Sequence, residues 1–358
     1  MLYLLTFTFF SAFIVLSICR KMAPKLGLMD KPNARKHHQG SVPLVGGIAI
    51  CITVTLSVVL FQLPIKHQPL FLTSIGALTV LGALDDKFDV CFKVRLVIQA
   101  LLSVAMMYFG GLELSTLGNL FGLGAVELGG FAYVITVFAV IGAINAFNMV
   151  DGIDGLLGGL SIVTFAALAW LLSSNDHHTL SDICLLFISA ALPYILMNLG
   201  LVGKKRKVFM GDAGSMMIGF TVIWLLLSAS QDASEPLMRP ITALWLIALP
   251  LMDMAAIMIR RIRRGDSPFK PDREHLHHIC QRLGLSSRQT LLAICSLASL
   301  LTAFGLYGEV AQLSEAFMFY SFVVCFVAYT YCLSHIWKIT KFVRKRVGKE
   351  EKLAVQNS

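Results

Sequence analysis

The sequence predicts an all-α polytopic integral membrane protein of about 11 transmembrane helices. Its N-terminus is expected on the periplasmic side, its C-terminus in the cytoplasm, and its active-site cleft on the cytoplasmic face. Three observations carry the prediction. Only 14% of the 358 residues are charged and 56% are hydrophobic, whereas soluble domains carry roughly a quarter charged residues. Apolar runs recur almost to the end of the chain, near the ~20 residues that a helix needs to cross a ~30 Å hydrocarbon core. The basic residues, finally, collect in alternate loops. Such runs are too long for barrel strands, which are ~10-residue alternating segments.

Taken in order, the first span covers residues 2–19. No basic stretch precedes it, and Arg20 and Lys21 follow it, so it reads as a retained helix rather than a cleaved signal peptide. The positive-inside rule then places its start outside and residues 20–43 in the cytoplasm. Span two, 44–63, is entered through Pro43, Gly46 and Gly47. Span three, 70–84, stops at Asp85, and span four, 95–110, opens at Arg95. Spans five and six, 131–149 and 155–173, flank the turn NMVDGIDG. Span seven, 183–201, is followed by a basic loop. Span eight, 213–230, opens after FMGD, and span nine, 241–259, runs into RRIRRG. Spans ten and eleven, 289–308 and 314–334, complete a single transmembrane catalytic domain over 1–334. Residues 335–358 are a basic cytoplasmic tail that begins as a helix end and then frays. All but two of the 30 Lys and Arg residues fall in the loops this alternation makes cytoplasmic, the exceptions being Lys66 and Arg239. The net charge of +9 is therefore mostly a topology signal, and no nucleic-acid partner is expected. Part of it could attract anionic lipid or substrate. The eight cysteines contain no CxxC pair, which predicts neither a structural disulfide nor a zinc site.

The acids sort to the same face. LGALDDKFD ends span three with Asp85 and Asp86. NMVDGIDG carries Asn148, Asp151 and Asp154. KVFMGDAGS carries Phe209 and Asp212 at the start of span eight. Adjacent carboxylates at the end of an apolar helix repel each other, and a cation relieves this; Asp85 and Asp86 alone would also suit a solvated loop. Asp151 and Asp154 face the same way if their turn is helical. Asp212 could be a simple N-cap, yet a helix N-terminus among small residues is also a phosphate site. Together, the five carboxylates suit a hard divalent cation such as Mg²⁺, or Mn²⁺ in its place. Such an ion takes one or two carboxylates plus substrate phosphates and water.

The fourth cluster, EHLHH at 274–278, is not the HExxH of zinc proteases. A helix over 272–283 would gather Leu276, Ile279, Cys280 and Leu283 into an apolar stripe. His275, His278 and Arg282 would then share one polar flank, with Arg273 and His277 on the other. An amphipathic surface helix of this kind suits a phosphate or diphosphate, and also a merely solvated interfacial helix. In the loop before span two, Lys31, Arg35 and Lys36 could neutralise phosphates, although topology alone explains them.

The order LDD, NxxNxxDGxDG, FMGDxGS and a cytoplasmic RxHxHH resembles the polyprenyl-phosphate N-acetylhexosamine-1-phosphate transferases. The resemblance covers nearly the whole chain. It implies transfer of a sugar 1-phosphate from a UDP-sugar to undecaprenyl phosphate with Mg²⁺, releasing UMP. The setting implied is the bacterial cytoplasmic (inner) membrane, and the step is the first of a cell-surface polysaccharide such as O-antigen or common antigen. A sister group uses UDP-MurNAc-pentapeptide, with HHH and PTMGG motifs. This chain has HLHH and PLVGG, which favours UDP-GlcNAc as donor. Residue by residue, Asp212 matches the Mg²⁺-binding acid, with Asp151 and Asp154 lining the nucleotide and metal site. Asp85 and Asp86 match the catalytic pair, and Asp154 and His278 are carried over with them. Phe209 matches a uracil-stacking ring. Lys31, Asn148, Asn198 and Arg273 are expected to bind substrate, and His275, His277 and His278 to contact the diphosphate or sugar. The resemblance also admits a homodimer. A transporter is the rival class, but ionisable groups on a transport path lie near mid-membrane, whereas here only Asp253 lies well within a span and the other intracellular acids crowd the cytoplasmic ends.

Overall fold

The computed structural model describes all residues except 31–39, 175–177, 232–235, 269–273 and 357–358, and for 174, 178 and 337–356 it describes the backbone alone. Among the described residues the chain forms thirteen α-helices and one two-residue hairpin. In order these are α1 (Leu2–Leu26), β1 (Met29–Asp30), β2 (Val42–Pro43), α2 (Gly46–Leu60), α3 (Gln68–Phe88), α4 (Phe92–Gly110) and α5 (Ala132–Met149). There follow α6 (Leu156–Ser174), α7 (His178–Asn198), α8 (Asp212–Ser230), α9 (Pro240–Leu246), α10 (Ala248–Arg263), α11 (Leu276–Arg282), α12 (Ser287–Val310) and α13 (Glu315–Gln356). Every expected apolar segment contains a helix. Nine of those described are individually long and apolar enough to cross a membrane.

The departures have physical causes. Helix α2 has 15 residues, about 22 Å at 1.5 Å per residue, and is shorter than its apolar run because Leu63 and Pro64 follow a turn. The expected single span 241–259 is two helices, α9 and α10, bent by 80°. Pro250 has no N–H for the carbonyl of Leu246, so the helical ladder breaks there. Thr164 Oγ1 of α6 donates to that freed carbonyl at 3.2 Å. Leu246 and Ile247 are buried, and protein-covered positions are where broken backbone is tolerated at membrane depth. Helix α3 continues past residue 84 and carries both acids in its last turn. Helix α13 runs without a break from the last apolar segment to Gln356, where a fraying tail was expected.

Helix α8 is the hub of the bundle. Almost all of its residues are buried, and it packs on α2, α3 and α5. Its first turn is gripped at backbone distance: a Cβ on Gly47 of α2 would fall on the Gly214 amide, and one on Gly82 of α3 on the Ala213 amide. Only small residues permit such approach. The hairpin adds a stitch, since Phe209 N donates to Pro43 O at 2.8 Å and Gly46 N to Phe209 O at 2.9 Å. At the other end of the bundle, Gln231 Oε1 accepts from Ser115 N at 3.0 Å and Thr116 N at 3.1 Å. There too, Arg239 pairs with Glu309 at 3.2 Å.

Candidate active site

The N-terminus of α8 collects side chains from α3, α4 and α5. Arg95, in the first turn of α4, pairs through Nη1 with Asp85 Oδ2 and reaches Asp212 Oδ2 at 3.5 Å. The carboxylates of Asp85 and Asp212 adjoin one another, and Asp85 is buried. Asn148, at the end of α5, donates to Asp212 Oδ1 at 2.8 Å and contacts Ser215 Oγ at 2.8 Å. Asp212 is therefore not the N-cap of α8. Gly211 holds that position without a side-chain bond, and Asp86 caps the helix from α3 instead. Its Oδ1 accepts from Asp212 N at 3.0 Å and its Oδ2 from Ala213 N at 3.4 Å. A carboxylate there satisfies orphan N–H groups and complements the helix dipole.

A second group lies around the α5–α6 turn. Residues 150–155 are not helical, so Asp151 and Asp154 do not share a helix face as expected. Gly155, at φ 80°, turns the chain directly after Asp154. Asp154 Oδ2 pairs with Lys207 Nζ at 2.6 Å, and Lys207 also lies 5.1 Å above the Phe209 ring, a cation–π distance. Asp151 is exposed. Asn198 is buried and ties the two loops together. Its Oδ1 accepts from Gly155 N at 2.6 Å, and its Nδ2 donates to Val208 O at 2.8 Å. Its amide is thus engaged in positioning the turn and the FMGD segment.

The histidines arrive on α11, which starts at Leu276 rather than 272. His275 is its N-cap, so it does not join His278 and Arg282 on a helical flank. His275 and His277 are both buried, with rings 5.7 Å apart and parallel to 9°. His278 tilts onto His277 at 4.2 Å. His277 Nε2 has no hydrogen-bond partner, and a Cβ on Gly152 would overlap it. The imidazole therefore seats directly on the glycine between the two acids of the turn. Burial, then the neighbouring His278 and His275, push the His277 pKa down to about 3, so this ring is neutral near pH 7. Glu274 anchors the approach to α11, paired with Arg260 at 2.8 Å and Arg264 at 2.9 Å. Lys31 and Arg273 lie outside the described residues.

The four clusters named in the sequence do converge at one end of the bundle, with three differences. The carboxylate beside Asp212 is Asp85, while Asp154 is held by a lysine. Asp86 serves a helix end. Arg95 and Lys207 organise the acids, although both read in the sequence as topology charges. A signal for Arg95 was present: Arg95, Gln99 and Ser103 form a polar stripe at intervals of four in an otherwise apolar helix. Gln99 and Ser103 are buried, and Gln99 Oε1 accepts from Asn145 of α5 at 3.1 Å.

The donor set fits Mg²⁺. Asp85 and Asp212 offer hard oxygens, and Arg95 neutralises only part of their charge. Among the described residues no three acidic, His or Cys side chains form a ready-made ligand group. A cation there would draw its remaining ligands from phosphate and water, as Mg²⁺ does.

The chain is similar to known proteins. The pattern of "Glycosyl transferase family 4" matches residues 68–230, from the start of α3 to the end of α8. Three similar proteins carry the name undecaprenyl-phosphate alpha-N-acetylglucosaminyl 1-phosphate transferase. One, from Escherichia coli O157:H7, is 49% identical over 93% of this chain and 90% of its own length. The protein of Yersinia pestis is 49% identical over 95% and 93%. That of Haemophilus influenzae is 46% identical over 97% and 98%.

Proposed function

Because the chain belongs to glycosyl transferase family 4, we propose that the cluster at the N-terminus of α8 transfers GlcNAc 1-phosphate from UDP-GlcNAc to undecaprenyl phosphate. The products are undecaprenyl-diphospho-GlcNAc and UMP. The observation that carries this reading is the joint hold of Arg95 and Asn148 on Asp85 and Asp212, at the end of a buried helix. The alternation of basic loops supports eleven crossings, counting the bent α9–α10 pair and the short α2 as one each, with this end at the cytoplasmic surface of the inner membrane. There the cytosolic nucleotide sugar and the lipid head group meet. The product opens a cell-surface polysaccharide pathway.

The reaction is an in-line phosphoryl transfer. An oxygen of the lipid phosphate bonds to the β-phosphorus of the donor, and the bond from that phosphorus to the UMP oxygen breaks. Such chemistry asks the protein mainly for positioning and charge neutralisation. Asp212 and its neighbour Asp85 would hold Mg²⁺ or Mn²⁺, which would supply charge neutralisation for the leaving UMP. Arg95 keeps the two carboxylates together between turnovers, and Asn148 orients Asp212. The DGID turn, fixed by Asn198, presents Asp151 and Asp154. Phe209 offers its ring to uracil once Lys207 moves aside. The histidines of α11 add donors around the transferring group. A phosphate monoester has its second pKa near ~6, so the nucleophile is largely ionised and Asp85 has only a residual proton to take.

UMP release tests the reading. Purified protein with undecaprenyl phosphate and Mg²⁺ is offered UDP-GlcNAc and UDP-MurNAc-pentapeptide in parallel, with Asp212→Ala as control. Release from UDP-GlcNAc alone, lost in the control, is the expected result. Release only from the pentapeptide donor moves the chain to the sister group. Release from neither, by folded protein, defeats the assignment.

A further inference from the structure

Asp253 is the one acid deep within an apolar segment, and the reaction above makes no use of it. It lies on α10, is 3% exposed, and is contacted from two other elements, the start of α11 and α13. Its Oδ2 lies 2.8 Å from His275 Nδ1. Its Oδ1 accepts from Leu276 N at 3.1 Å and from Tyr329 OH of α13 at 2.7 Å. A buried charge is tolerated when its lone pairs are taken up by good donors, and three donors meet here.

We propose that Asp253 is a positioning residue for the histidine cluster. Its two oxygens perform separate tasks. Oδ1 fixes the start of α11 in space by capping Leu276 N and tying α13 to it through Tyr329. Oδ2 requires a proton on His275 Nδ1, which sets the ring's orientation and leaves Nε2 as the edge available to a ligand. Because the His275 ring is parallel to that of His277, and His277 rests on Gly152, the hold on His275 passes to the DGID turn through stacked rings. A single carboxylate thereby sets the register between the histidine helix and the acids. This inference rests on the proposed reading of α11 as part of the active site.

The test has two parts. First, selectively ¹⁵N-labelled histidine in the detergent-solubilised protein reports imidazole protonation, with His275→Ala assigning the signal. Wild type is expected to show a protonated, hydrogen-bonded His275 Nδ1, and Asp253→Asn to lose or shift that resonance. Absence of a proton on Nδ1 in wild type overturns the proposal without any variant or assay. Second, UMP release is measured for Asp253→Asn, His275→Ala and the double variant. Each single change is expected to lower kcat by tenfold or more, with the KM for UDP-GlcNAc within about threefold. The double variant is expected to be no worse than His275→Ala, because residues acting as a unit are not additive. Independent, multiplying losses overturn it, as does full activity in a folded Asp253→Asn protein. Should Asp253→Asn fail to fold, Tyr329→Phe keeps the carboxylate and removes one donor. It is expected to cost twofold to fivefold in kcat with the His275 signal retained, and loss of that signal would count against the separate roles of the two oxygens. If wild type releases no UMP at all, the functional reading fails while the imidazole spectrum still decides the Asp253–His275 contact.

Discussion

Replacing Arg95 by Ala leaves Asp85 and Asp212 side by side with no shared cation, and the buried member of the pair cannot turn to water. The expected outcome is a fall in UMP release of at least 100-fold at saturating donor, and Arg95→Lys recovers only part of it because a compact, strongly hydrated ammonium on a flexible stem replaces the rigid, delocalised guanidinium. Asp85 and Asp86, although adjacent, separate under the same assay. Asp85→Asn lowers kcat more than it raises the donor KM. Asp86→Ala removes a helix cap, worth ~1 kcal/mol, and shows mainly as a lower melting temperature with turnover within about tenfold. At His277 the prediction concerns acid. Its unfolded pKa is 6.5 and its folded one about 3, so the unfolded chain binds the extra proton across that window and stability falls as pH drops through it. His275, His278 and Asp253 are the titratable neighbours. His277→Gln is expected to flatten the decline in melting temperature between pH 6.5 and 5 relative to wild type. These partnerships were the least legible part of the sequence. The acids were visible because charge stands out beside apolar runs. Arg95 was masked by the same loop charges that revealed the topology.

Among the elements, run length located a helix in every apolar segment, because the hydrocarbon thickness dictates it. Where a helix bends or starts depends on particular donors. Pro250 is the visible mark of the break between α9 and α10, and a reading for hydropathy alone passes over it. The start of α11 could not be read from a helical wheel, since His275 is drawn out of the helix by Asp253, 22 residues earlier. The grip on α8 gives the test at this scale. Gly47→Ala and Gly82→Ala each drive a methyl into the backbone of its first turn. Both are expected to lower yield and thermal stability and to abolish UMP release together. Gly76→Ala on the same helix as Gly82, where a Cβ meets nothing within 4 Å, leaves all three unchanged.

For the whole molecule, the distribution of charge and the convergence of the clusters make one claim about orientation. In a cysteine-free background, a cysteine at Lys66 is expected to react with an impermeant maleimide added to intact cells. One at Lys205 is expected to react only after permeabilisation, and the reverse pattern would invert the proposed topology. The spacing of the ion pairs along the chain also bears on how such a site is made. Asp85 meets its arginine 10 residues later, whereas Asp86 waits 126 residues for the amide it caps. A nascent chain can thus carry its buried acid into the bilayer already neutralised by the next helix to emerge. The second carboxylate stays at the water interface until α8 arrives. Biogenesis would then proceed as a hairpin of α3 and α4 that waits, with one acid spoken for and the other open, for the helix that turns the pair into a site.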